Sequence, residues 1–229
     1  GHRQRRSGPL LMPLAAAVEA CRRALYETEV ARLWAGSADG AHDLGHLRRV
    51  WANARAIAAA EGGADDEVLL AAAFFHDAVN LPKSAPDRAQ ASALSARAAL
   101  AFLQTTDFPA EKLDPTAHAI EAHSFSAGIA PRTKEAMILQ DADRLEALGA
   151  IGIARMFHVA GQMGAALFDP EDPMARRRAL DDKRFSLDHL EVKLFPVAAA
   201  MQTATGRRMA EERAEWMASF RTRLLAEIG

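Results

Sequence analysis

The chain has 229 residues and a mass of 24.7 kDa, half of them apolar and a quarter charged, with a net charge of −2. That length suits one large domain with an ample core, and the ordinary composition excludes disorder as the default state. The near-neutral total carries no global signature of a nucleic-acid or membrane binder, and the single cysteine, Cys21, excludes an intrachain disulfide and any multi-cysteine metal site.

The 52 alanines against 14 aromatic residues favour closely packed helices over β-sandwiches or barrels, so the fold class expected is all-α. Residues 1–12 carry several positive charges and no signal-peptide pattern. They read as an appended or flexible arm, with Met12 as the natural start and a cytoplasmic protein of residues 13–229 following. No run approaches the ~18 apolar residues of a membrane span.

Leu14 to Leu33 has helical spacing and ends at a loop from Gly36 to Gly40. Asp43 is placed to cap a second helix, whose stripe Leu47, Val50, Ala54, Ile57 and Ala58 runs until Gly62 and Gly63 stop it. Asp65 or Asp66 opens a third helix, almost wholly apolar from Val68 to Phe75, which ends near Ala78–Leu81 because Pro82 disfavours helical geometry before it. Helices are then expected over Asp87–Leu103, Ala110–His123 and, after a loop from Ser124 to Pro131, Thr133–Leu148. Gly149 and Gly152 mark close helix packing or a break. The stretch from Gly161 to Asp182, rich in glycine, proline and charge, reads as a long mobile connection of the kind that forms lids. Two last helices are expected near Leu187–Thr203 and Arg207–Ile228, the second with Met209, Trp216, Met217, Phe220 and Leu224 on one face.

The nucleophile elbow, the P-loop, the HExxH zinc pair and the dinucleotide fingerprint are all absent. A dispersed polar set stands out instead: His46, the doublet His76–Asp77 at the end of the apolar helix, and Asp143. A carboxylate entering a core without a partner costs several kcal/mol, and a divalent cation held by His nitrogen and Asp oxygen would compensate. Neighbouring helical residues point about 100° apart, so both members of the doublet reach one ion only at a helix end or bend. The other doublet, His42–Asp43, sits at a polar helix start and reads as capping. By themselves these residues leave open a core polar network in place of a metal site.

The order His…His-Asp…Asp, in the strings HDLGHLRRVW, AFFHDAVNLPKSAPDR, AIEAHSFSAGIAP, QDADRLEALGAIGIAR and DDKRFSLDH, resembles the HD-domain phosphohydrolase superfamily, and within it the bacterial YedJ/YpgQ-type branch. The resemblance runs from about Tyr26 to the C-terminus. It implies a single helical bundle, its HD core over about residues 40–150 and C-terminal helices over 150–229, with the metal site between helices. It also implies His46, His76, Asp77 and Asp143 as ligands of one divalent transition metal (Mn²⁺, Fe²⁺, Co²⁺, Ni²⁺ or Zn²⁺, with Mg²⁺ as a substitute), since a mixed N/O set suits these ions better than Ca²⁺. Asp141 points about 200° away from Asp143 on a helix and is left as a supporting or capping group.

Further roles follow from the same resemblance. Asp77 is expected to orient or deprotonate the attacking water, and His123, in preference to His118, to donate a proton or hydrogen-bond the phosphate. Phosphate also needs positive charge, and by their positions in the sequence Arg49, Lys83, Arg88, Arg144 and Lys193 are the candidate phosphate-binding cations, although Arg49 has an alternative in pairing with a carboxylate. The implied activity is hydrolysis of nucleotides or related small phosphoesters, with cleavage of nucleoside triphosphates to monophosphate and pyrophosphate as the reaction expected. A nucleic-acid polymer or membrane partner is not expected, and a homo-oligomer is compatible. The alternative is a non-catalytic nucleotide-binding sensor that keeps the fold.

Overall fold

The computed structural model describes residues 14–35, 43–81 and 87–228; the side chains of Arg88 and Phe125 are outside that description. The N-terminal arm, the loop from Gly36 to Gly40, His42, Pro82 and Lys83 therefore lie outside the described residues.

The described chain is helical, without a strand, its one β-bridge joining Ala166 to Phe185. In order the helices are α1 (Leu14–Leu33), α2 (Leu44–Ala60), α3 (Asp66–Phe75), α4 (Ala91–Leu103), α5 (Leu113–His123), α6 (Lys134–Leu145), α7 (Gly149–Gln162), α8 (Phe195–Ala199) and α9 (Ala204–Ile228). Short 3₁₀ turns precede α4 and α5, at Arg88–Gln90 and Ala110–Lys112, where the sequence suggested continuous helix. None of these helices is long and apolar enough to cross a membrane.

Side-chain caps set the starts that frame the site. Asp43 accepts the backbone N–H of His46, Asp65 those of Glu67 and Val68, and Thr133 that of Ala136. The apolar run makes α3 the central helix: every residue from Val68 to Phe75 is buried, and α1, α2, α4, α5 and α6 all pack on it. Burying Phe74 and Phe75 contributes roughly 1.5–3 kcal/mol each. Tyr26 of α1 meets the Phe75 ring edge-on with centroids 5.4 Å apart, which closes the core on that side.

Between α6 and α7 the chain turns within three residues. Gly149 adopts φ +68°, and a Cβ on Gly152 would collide with the Ala147 carbonyl, so the two glycines serve the break and the close approach together. The helix expected to reach Leu148 accordingly stops at Leu145.

The C-terminal third departs most from expectation. Residues 163–185 are not an open lid. In the bridge Ala166 N–H donates to the Arg184 carbonyl and Ser186 N–H to the Ala166 carbonyl, Arg178 pairs with buried Asp188 and with Asp169, and Asp181 N–H donates to Asp188 Oδ2. The expected helix Leu187–Thr203 is broken into a 3₁₀ turn, a π-helical turn Leu190–Leu194 and α8. Pro196 lacks an N–H and its ring clashes with the carbonyl four residues back, which widens the preceding turn. On α9, Met217 is buried and Met209, Phe220 and Leu224 pack on the core, whereas Trp216 is 47% exposed. Arg213 fastens α9 to the bundle by donating to the Leu145 carbonyl and to Asn53 Oδ1, while Asn53 Nδ2 donates to the Ala142 carbonyl.

Candidate metal centre

Three helices deliver the dispersed polar set to one place. His46 is the third residue of α2, fixed there by the Asp43 cap. His76 is the residue that ends α3, and Asp77 follows in a tight turn, so the doublet occupies a helix end as its angular requirement demands. That turn is held from two sides. Trp34 Nε1 donates to the Asp77 carbonyl, and buried Ser95 of α4 exchanges hydrogen bonds with the Val79 N–H and carbonyl. Asp143 lies on the last full turn of α6, which packs along α2.

His46 Nε2 stands 3.3 Å from His76 Nε2, 3.4 Å from Asp143 Oδ1 and 3.7 Å from Asp77 Oδ2. His76 Nε2 stands 3.5 Å from Asp77 Oδ2 and 3.6 Å from Asp143 Oδ1. Atoms ~2.1 Å from a shared ion lie about 3.0 Å apart at right angles and about 3.4 Å apart at tetrahedral angles, so these separations fit donors around one divalent cation. The two histidines are about 1% exposed and the carboxylate side chains 22% and 29%, which leaves the carboxylate side of the cluster open to solvent.

The ring nitrogens are oriented for coordination. A carbonyl only accepts, so the 2.8 Å contact of His76 Nδ1 with the Ala73 carbonyl puts the proton on Nδ1 and the lone pair on Nε2. His123 repeats this arrangement, with Nδ1 2.6 Å from the Ile120 carbonyl and Nε2 3.6 Å from Asp77 Oδ1. Two groups of three have donor atoms that all lie within 4.8 Å of one another: His46, His76 and Asp77, and His76, His123 and Asp143.

Electrostatics follow from that crowding. Burial disfavours charge on His46, but Asp143, Glu146 and Asp77 outweigh it and push its pKa up to about 9. Burial likewise disfavours ionised Asp77 and Asp143. The imidazoles around them (His76 and His123 for Asp77, His46 and His76 for Asp143) hold both carboxyls well below the usual carboxylate range. Burial opposes a charged His123 too, yet the Asp77 carboxylate beside it and nearby Asp143 raise it.

The other sequence-predicted residues fall in different places. Arg49 donates from Nε to Glu146 Oε2 at 2.6 Å, the carboxylate alternative foreseen for it. Arg144 donates from Nη1 to the Ala200 carbonyl, tying α6 to the C-terminal segment. Lys193 is exposed on the π-helical turn, and its side chain makes no hydrogen bond or ion pair among the described residues. Lys83 and the Arg88 side chain lie outside the described residues. His118 is turned away from the cluster and accepts the Arg132 N–H at 2.9 Å. Asp141 is a cap, accepting from Gln202 N, Thr203 N and Thr203 Oγ1 at the start of α9.

Two residues escaped sequence reasoning. Glu146, 2% exposed, has Oε2 3.5 Å from His46 Nδ1, and Arg155 Nη1 lies 3.5 Å from the same nitrogen. The available signal for Glu146 was its spacing of three from Asp143, which puts the residue that caps α6 on the same side as Asp143; nothing local marks Arg155. A cleft of about 520 Å³, lined by Arg49, Asn53, Glu146, Arg213 and Trp216 among others, opens beside Glu146, and none of the four clustered residues lines it.

The HD domain family model matches residues 43–148, the segment that contains all four residues of the cluster. The Bacillus subtilis (strain 168) protein YpgQ is 31% identical over 212 residues, covering 89% of this chain and 95% of YpgQ. The crystal structure of YpgQ in complex with ADP has a TM-score of 0.69 at 30% identity, over 91% of this chain and 96% of that one. An HD-superfamily hydrolase from Bacillus thuringiensis gives a TM-score of 0.70 at 29% identity, over 91% and 97%.

Proposed function

The chain belongs to the HD-domain family, and on that premise we propose that it is a divalent-metal-dependent phosphohydrolase of nucleotides or related small phosphoesters, with His46, His76, Asp77 and Asp143 as its ligands. The observation that carries this reading is the convergence of two imidazoles and two carboxylates from α2, the end of α3 and α6, with the imidazole nitrogens 3.3 Å apart and 3.4–3.7 Å from an oxygen of each carboxylate. Two imidazoles and two carboxylates fit Mn²⁺, Fe²⁺, Co²⁺, Ni²⁺ or Zn²⁺, with Mg²⁺ as a substitute. When bound, such an ion supplies Lewis-acid neutralisation of phosphoryl charge and lowers the pKa of water.

The residues around it have distinct work. Asp77 stays ionised, so its carboxylate is a weak base that aligns the attacking water rather than retaining its proton. His123, with Nε2 facing Asp77 and its pKa raised by that carboxylate, is the group proposed to hydrogen-bond the phosphate or to pass a proton to the leaving oxygen. Lys83, Arg88, Arg144 and Lys193 are the proposed phosphate cations, while Arg49 is engaged by Glu146. The relative solved with ADP supports a nucleotide as the substrate class, and triphosphate cleavage to monophosphate and pyrophosphate is the bond choice proposed.

Turnover of ribo- and deoxyribonucleoside mono-, di- and triphosphates with Mn²⁺, Co²⁺, Ni²⁺ and Mg²⁺, with phosphate and pyrophosphate quantified separately, tests this reading. Pyrophosphate release from a triphosphate is expected. Nucleotide binding without turnover under every metal would replace the enzyme with a sensor.

Metal uptake should also displace protons. His46, protonated up to about pH 9 in the metal-free chain, must be neutral to coordinate. In the metal-free chain its ion pairs stabilise the fold fully below pH 6.5, the ordinary histidine value, and this contribution is lost as pH rises through about 9. Calorimetric Mn²⁺ titrations at pH 7.5 in buffers of differing ionisation enthalpy should report release of about one proton per ion. A buffer-independent enthalpy would contradict it.

A further inference from the structure

We infer that Glu146 is a positioning residue that selects which ring nitrogen of His46 carries the proton, and so keeps Nε2 free for the ion, against an opposite demand from Arg155; the inference rests on the metal-centre reading above. His46 Nδ1 has two neighbours of contrary chemistry at the same distance, Glu146 Oε2 and Arg155 Nη1, each 3.5 Å away. Once the ring has released a proton to bind the ion, one proton remains; a carboxylate only accepts, so pairing with Glu146 keeps that proton on Nδ1 and leaves the Nε2 lone pair facing His76, Asp77 and Asp143. A guanidinium only donates, so pairing with Arg155 uses the Nδ1 lone pair and moves the proton to Nε2, where it blocks coordination.

The other two histidines of the site need no such arbiter. His76 and His123 each donate Nδ1–H to the carbonyl three residues earlier, Ala73 and Ile120, within their own helices. For His46 the corresponding carbonyl is that of Asp43, at the helix cap, and it already accepts the backbone N–H groups of His46 and Leu47. The first turn of α2 therefore leaves the tautomer to groups from other helices.

At 3.5 Å neither neighbour makes a full-strength hydrogen bond, so charge and support decide between them. Glu146 is nearly fully buried, and Arg49 locks its carboxylate through a 2.6 Å hydrogen bond. Arg49 lies one turn beyond His46 on α2, and Glu146 one turn beyond Asp143, just past the end of α6. The contact between α2 and α6 that joins the ligands thus joins their support. A carboxylate behind a coordinating imidazole also raises its basicity as a ligand.

Titration with Mn²⁺ alone, followed by calorimetry on the full chain, separates the two neighbours. Glu146→Gln is expected to weaken Mn²⁺ binding about tenfold or more. Arg155→Met should leave the affinity unchanged, and the double variant should recover most of what Glu146→Gln loses, because the competing donor is gone. A role for Glu146 in stability alone would move the metal-free melting temperature without that recovery. Should Glu146→Gln fail to fold, Arg155→Met decides: an affinity that falls makes Arg155 the required partner of His46 and overturns the inference, as does Glu146→Gln binding Mn²⁺ like wild type. A wild-type chain that takes up no Mn²⁺ overturns the metal-centre reading itself, and the inference with it.

Discussion

Replacing His76 with alanine is expected to abolish stoichiometric binding of a divalent metal and to lower phosphoester turnover by about 10³-fold or more. His76 is the best-buried member of the cluster, and its Nε2 is 3.3–3.6 Å from donor atoms of all three others. Its tautomer is set by the Ala73 carbonyl, so the lone pair is presented to the centre without rearrangement. Without it, Asp77 and Asp143 keep their charges but lose the imidazole between them, and the coordination set falls from four to three. Elemental analysis of purified protein and initial rates under saturating Mn²⁺ read the two effects. Thermal unfolding without metal shows whether the variant still folds. A folded variant retaining one equivalent of metal would remove His76 from the ligand set.

Replacing Asp141 with alanine should instead destabilise the fold by about 3 kcal/mol, lowering the melting temperature by roughly 10 °C for a chain of this size, while well below that temperature the protein still binds its full equivalent of metal. Asp141 is fully buried and accepts three hydrogen bonds of 2.8 Å, from Gln202 N, Thr203 N and Thr203 Oγ1. Thr203 Oγ1 in turn accepts the Gly206 N–H, so the carboxylate on α6 anchors the capped start of the 25-residue α9. Gly206 is there because any Cβ would meet the Asp141 carboxylate. Truncation orphans several donors at once, and orphaned buried donors are more costly than the net worth of the bonds. Differential scanning calorimetry gives the shift; a melting point within about 2 °C of wild type would show that α9 is anchored elsewhere, chiefly through Arg213.

These two aspartates, two residues apart, separate what local sequence decides from what packing decides. The caps Asp43, Asp65 and Thr133, the wholly buried run from Val68 to Phe75 and the placement of His76–Asp77 at a helix end were all legible, because capping and periodicity are set by residues within one or two turns. The assignment of Asp143 over Asp141 came from resemblance; the physical reason is tertiary, since only the seating of α6 between α2 and α9 turns one carboxylate to the histidines and the other to Thr203. The same holds for Glu146 and Arg155, whose shared neighbour, His46, is about a hundred residues away along the chain. The connection after α7 looked free because glycine, proline and charge dominate it, yet its arginines and aspartates pair with one another across the loop.

Length, composition and spacing by themselves determined an alanine-rich helical bundle with buried polar residues that needed a partner. Which polar groups face one another, and so which can share an ion, was decided by helices far apart in sequence packing side by side. Local propensity sets the direction of each side chain on its own helix, and only the contact between helices sets what that side chain meets.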